Sequence, residues 1–369
     1  MNKRLEINCT KGFGILVIMC SHVLFANTYN PVSFASLLGF CVPIYFYCTG
    51  FEYIKYKGSL AKEYKLKVFR LATYALSIFL ILLLIHTAIL LLSNQLDFIS
   101  CLKSICLCFM DENSINFFPE GTILIQDYHD IFCPYWFIVL FVLCLILFIP
   151  LTRLIEKNNK IGIIVPIVLL ILSAVVYCFA GNLPMASHLT PSFTCIMVVA
   201  YLLKKYKINE KLESLKTPWV FVISLAIFIL GEIIASQIGL QKIARGRFDE
   251  NDASFVCWLM GMISMVLCSF GFLNLSRVFT KIKPLTSFLS WAGINSLDIM
   301  LVHMFFVVEF SKITSIPNGR MFFEAQDVTP ELQLQFLIVL VASLFGSWLY
   351  IYLKNFILKK AALRKFKIS

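Results

Sequence analysis

Ten runs of this chain are apolar over lengths that suit the hydrocarbon core of a bilayer. They fall at about 12–26, 33–54, 68–93, 133–151, 161–181, 190–204, 217–238, 253–274, 293–311 and 333–357. A soluble domain has no interior large enough for them: of 369 residues, 59% are hydrophobic and 14% charged. In lipid, each backbone N–H and C=O must be satisfied inside the protein, and a helix does this within its own span. The sequence therefore predicts an all-α fold, a polytopic membrane helix bundle of about ten transmembrane helices. One such bundle uses residues 1–369 as a single integral-membrane domain. The external loop 94–132 is its one large connection, and the short apolar piece 98–110 inside it reads as interfacial or re-entrant. The basic start of the chain reads as the flank of a retained first span, since no small-residue cleavage site follows the apolar run.

Loop charges orient the bundle. Threading the chain through ten spans places the 32 Lys and Arg on one side, except Lys103, Lys242, Arg245, Arg247, Lys312 and Arg320. By the positive-inside rule both termini are expected in the cytoplasm, with the cell (plasma) membrane as the host bilayer. The net charge of +11 then requires no nucleic acid partner. Of the thirteen cysteines, eight (Cys20, Cys41, Cys48, Cys144, Cys178, Cys195, Cys257, Cys268) sit in apolar runs, where a thiol behaves as a small hydrophobe. Cys101, Cys106, Cys108 and Cys133 lie in or beside the external loop and can pair there if it meets an oxidising space. No metal site is predicted; Asp127, His129 and Asp130 in that loop form too slight a motif.

Ionisable side chains inside a bilayer are costly and are the first candidates for function. They are His22, His86, Glu232, Asp298 and His303, with Glu52 and Glu309 near span ends. Lys11 and His22 are eleven residues apart, which is three helical turns plus about 20°, so they share one face roughly 16 Å apart. A cation near one surface and an imidazole deeper in suit a reaction whose substrates approach from opposite sides. His22 can serve as general base or as a nucleophile that briefly carries an acyl group; it can equally be a neutral imidazole bonded to a carbonyl. Lys67 and Arg70 share a face at the start of span 3, with Tyr74 one turn on. With Lys11 they make a basic mouth suited to a polyphosphate donor, although topology alone also puts cations there. Asp298 and His303 are five apart, about 140° round the helix, so they are not a simple dyad. Asp298 can line an interior passage, or bind a neighbouring helix. Gly293, Asn295 and Ser296 mark the start of their span. Trp136 and Phe137 open span 4, either as part of the aromatic belt or as a stacking surface for a sugar ring. The same groups suit a transporter or exporter of a glycan or lipid, with the histidines as proton relays.

The ordered set resembles the acyltransferase 3 family of multi-pass membrane acyltransferases. Lys11-Gly12 followed by His22 is similar to that family's Arg-Gly pair with a histidine eleven residues on. Tyr45-Phe46-Tyr47-Cys48-Thr49-Gly50-Phe51 resembles its aromatic run and Ser-Gly-Phe, with Thr49 in place of serine. Lys67 and Arg70, Trp136-Phe137, and Ser296-Leu297 with His303 resemble its later motifs in the same order. The resemblance implies O-acylation, commonly O-acetylation, of a sugar or polysaccharide acceptor outside the cytoplasm. His22 would be catalytic. Lys11, Lys67, Arg70 and Tyr74 would receive acyl-CoA, acetyl-CoA above all, as a co-substrate, with no permanently bound cofactor. Asp298, His303, Trp136 and Thr49 would lie along the passage or acceptor side. Lys11 departs from the family's arginine: it keeps the charge and loses the planar two-pronged donor.

Overall fold

A computed structural model describes residues 3–24, 40–93, 131, 135–180, 184–238, 255–313 and 330–366. Among the described residues there is no strand. These residues form thirteen α-helices: α1 (Lys3–Leu24), α2 (Cys41–Glu52), α3 (Leu60–Tyr64), α4 (Arg70–Leu92), α5 (Tyr135–Lys157), α6 (Asn159–Ala180), α7 (Thr190–Lys205), α8 (Ile208–Glu213), α9 (Thr217–Ile238), α10 (Phe255–Phe279), α11 (Lys283–Ile294), α12 (Ser296–Ile313) and α13 (Pro330–Phe366). A π-helical turn, Lys65–Phe69, joins α3 to α4 without a break. The loop 94–132, expected to be external, lies outside the described residues in all but Ile131, and so do the candidate motif Asp127–Asp130 and the loop cysteines.

Seven of the described helices are long and apolar enough to cross a membrane, or eight if the bent pair α11–α12 counts as one. They correspond to the expected spans 3 to 8 and 10, with the bent pair at span 9. Spans 1 and 2 correspond to α1 and α2. α1 starts in a charged stretch holding Lys3, Arg4, Glu6 and Lys11, and the first part of span 2 lies outside the described residues.

The short helices α3 and α8, and all but the last two residues of α11, fall outside the apolar runs. α11 is twelve residues long, about 18 Å, too short to cross by itself. It opens on Lys283-Pro284, where proline suits the first turn. It ends at Asn295, and α12 leaves at 82°. The break falls at the Gly293-Asn295-Ser296 stretch, where the sequence places the start of a span.

Small residues set how closely the helices pack. In lipid the hydrophobic effect does not drive helices together, so association depends on close van der Waals fit. α1 and α11 meet backbone to backbone: a Cβ on Gly12 would lie 1.9 Å from the Leu289 carbonyl oxygen, and one on Gly293 would lie 1.8 Å from that of Asn8. α2 and α7 meet the same way, with a Cβ on Gly50 reaching 2.1 Å from the Met197 carbonyl oxygen. The aromatic run of α2 then fills the centre. The ring of Phe46 lies 4.5 Å from Phe193 on α7 and 5.4 Å from Phe137 on α5. Cys41, Cys48, Cys144, Cys195 and Cys268 are buried, as expected of small hydrophobes.

Gly12 faces main chain that cannot step aside, whereas Gly162 faces the methyl ends of Leu202 and Ile155 at 3.2 Å and 3.4 Å. Gly12→Val is expected to lower stability by about 1–3 kcal/mol or to block folding. Gly162→Ala is expected to be mild, and thermal unfolding of both variants in detergent compares them.

Candidate active site

The site is assembled around α1, which packs against α2, α11, α12 and α13. Lys11 sits two turns into α1, partly buried. Its ammonium pairs with the Glu52 carboxylate at the end of α2. The Tyr45 hydroxyl donates to the Lys11 carbonyl oxygen at 2.7 Å, fixing α2 to the same turn of α1. Thr49 lies one turn from Tyr45 and turns its hydroxyl back to the Tyr45 carbonyl oxygen at 2.7 Å. The pair Lys11–Glu52 retains 19% and 32% of its side-chain exposure, so water or a ligand can reach it. α1 continues unbroken past position 22 to Leu24; the His22 side chain lies outside the described residues.

Lys67 is engaged from three sides. Its ammonium lies 2.9 Å from Glu63 Oε1, 2.9 Å from the Ile54 carbonyl oxygen and 3.7 Å from the centre of the Tyr53 ring. Glu63 is the hub of this group. Its carboxylate is buried and also accepts from Arg153 Nη2 at 2.8 Å, Arg153 Nε at 3.2 Å and the Tyr53 hydroxyl at 2.5 Å. The knot ties the α2–α3 connection to α3 and α5. Three positive or donating groups around one carboxylate offset the cost of burying it. Arg70, one turn beyond Lys67, is exposed.

Tyr74 and Asp298 meet across α4 and α12. The Tyr74 hydroxyl donates to Asp298 Oδ1, and Lys354 on α13 places its ammonium 2.5 Å from Oδ2 and 3.1 Å from the Tyr74 oxygen. Asp298 is buried, so the contact gathers three helices around one carboxylate. His303, fully buried on the same helix, has Nδ1 3.0 Å from the carbonyl oxygens of Ile299 and Met300. A carbonyl only accepts, so Nδ1 carries the proton, and in the neutral ring Nε2 keeps its lone pair. A second α4–α12 contact joins His86 Nδ1 to Glu309 Oε1 at 2.8 Å. Trp136 is half-buried beside Phe137, whose ring also meets Tyr45 at 5.8 Å.

The family model described as an acyltransferase domain matches residues 4–352. The chain belongs to the acyltransferase 3 family. No curated protein and no solved structure matches it. Membership and the apolar helices together mark a membrane acyltransferase.

Sequence-derived candidates of the acyltransferase are brought into direct contacts: Lys11 with Glu52, Lys67 with Glu63, Tyr74 with Asp298, and His86 with Glu309. Lys354, Glu63 and Arg153, which join these contacts, were not among the candidates. Lys354 reads in the sequence as one of the basic tail residues, yet it lies within the last apolar run. That position was the available signal. Glu63 and Arg153 carry no such signal, because they stand among many charges near span ends.

The acyltransferase's three-helix contact yields a direct test. Asp298→Asn or Lys354→Met alone leaves a charge without its partner and is expected to cost about 1–3 kcal/mol. The double variant is expected to cost less than the two single losses together, read from thermal unfolding in a double-mutant cycle.

Proposed function

We propose that the protein is an O-acyltransferase that moves an acyl group, acetyl in the first instance, from acyl-CoA to a hydroxyl of an extracytoplasmic or lipid-linked glycan. The observation that carries this reading is the course of α1. It passes the part-exposed Lys11–Glu52 pair two turns from its start and runs unbroken past position 22, held against α2, α11 and α12. One helix thus links a cation at the end of the bundle where basic loops gather to a histidine position about 16 Å further along.

In this reading acyl-CoA approaches from the cytoplasm. Its phosphates exchange with Glu52 at Lys11 and draw on Arg70, while Lys67 adds its positive field from within the Glu63 knot. Tyr74 holds the α4 side of the donor passage through Asp298. The glycan hydroxyl comes from the opposite side past Trp136 and Thr49, and His303 borders the passage. His22 takes the hydroxyl proton as the oxygen attacks the thioester carbonyl. The C–S bond breaks, and the proton passes to the departing thiolate to give free CoA. A two-step route, with the acyl group carried first on the His22 imidazole, uses the same proton balance. The protein works in the cell membrane with both termini in the cytoplasm, and the reading needs no permanently bound cofactor or metal.

His22→Ala, assayed in membranes with labelled acetyl-CoA and glycan acceptor, is expected to lose at least about 100-fold in transfer. Retained transfer by a correctly inserted variant contradicts the role. Lys11→Met is expected to raise the KM for acyl-CoA, and Lys11→Arg to leave it near the starting value.

A further inference from the structure

A groove opens at the end of the bundle that carries Lys281, Lys283, Lys359 and Lys360. It is a groove of about 800 Å³ between α11, the start of α1 and the end part of α13. Its α11 wall is one helical stripe: Lys283, Ser287, Ser290, Trp291 and Ile294 recur at the spacing of a single face. Ile351 and Asn355, one turn apart on α13, form the facing wall, and Leu5 of α1 contributes a further apolar side.

The chemistry of the stripe is graded. At one end stands an exposed ammonium, Lys283. In the middle are the hydroxyls of Ser287 and Ser290, with the Asn355 amide across the groove. At the other end is Ile294, 66% exposed. A cation followed by hydroxyl-bonding groups and then open apolar surface matches an amphiphile with one phosphate, a polar glycerol region and acyl chains. Basic clefts between helices at the charged end of a membrane protein attract anionic headgroups. Among the described lining residues Lys283 is the one cation, which suits a single phosphodiester and not a polyphosphate.

We propose that this groove binds one phospholipid, its phosphate at Lys283, its glycerol and headgroup hydroxyls at Ser287, Ser290 and Asn355, and its chains over Ile294. The adjoining face of α11 is locked onto α1 through Gly12 and Gly293. A bound lipid therefore braces the helix that carries Lys11. The proposal does not depend on the acyl-transfer reading.

The test uses the full chain purified in mild detergent, with native mass spectrometry and thermal unfolding as readouts and phosphatidylglycerol as the probe. The wild type is expected to retain one phosphatidylglycerol and to unfold at a higher temperature when it is added. Lys283→Glu, a change at an exposed position, is expected to weaken retention about ten-fold. Ser287→Leu with Ser290→Leu, which fills the groove, is expected to abolish it. Equal retention by wild type and both variants overturns the proposal. So does stabilisation by glycerol phosphate or inorganic phosphate equal to that by the lipid. Protection by acetyl-CoA through Lys283, without protection by phosphatidylglycerol, assigns the groove to the donor and likewise overturns it.

Discussion

Within the bilayer no water is available to a buried carboxylate, so each one fixes whichever helix supplies its partner. α12 shows this most clearly. Asp298 and Glu309 are eleven residues apart and share one stripe of that helix. Asp298 binds Tyr74, and Glu309 binds His86, both on α4. The partners rise in the same order along both helices, so α4 and α12 run parallel, pinned at two levels about 17 Å apart. That agrees with spans 3 and 9 crossing in the same sense. Lys354 adds α13 to the lower pin. His303 faces away from this stripe, which leaves it on the side of the helix not used for the pins.

The other fixed contact is apolar. At Gly12 and Gly293 the main chains of α1 and α11 touch, and no side chain larger than hydrogen fits. The glycine beside Lys11 therefore acts through packing: it sets the distance of α1 from the rest of the bundle. Gly50 does the same for α2 against α7. Lys11 is aimed between these contacts by Tyr45 and Glu52. The proposed donor site thus rests on two helix pairs, α1–α11 and α2–α7, whose spacing is fixed by glycine.

Much of this was legible in the sequence, for reasons that differ by element. The long spans were readable because twenty apolar residues have few other uses. The candidates Tyr74 and Asp298 were readable as polar groups near or within spans; that they touch each other was not, since 224 residues separate them. Lys354 was hidden among the tail cations, which topology explains without any pairing. Lys67 read as part of an open mouth, but Glu63 and Arg153 converge on its helix through a fold that linear spacing does not encode. α11 escaped notice because its serine, threonine and lysine stripe interrupts the hydropathy that marks a span. The same stripe is what lines the groove beside it.

In the proposed reaction a donor on the basic side meets an alcohol from the other side along α1. Sealed proteoliposomes of uniform orientation test this most directly. Labelled acetyl-CoA is supplied on the face carrying the basic loops, glycan acceptor on the opposite face, and label in the glycan is measured. Transfer is expected in this arrangement and none when the two are exchanged. Transfer only when donor and acceptor share one face would contradict the proposed reaction.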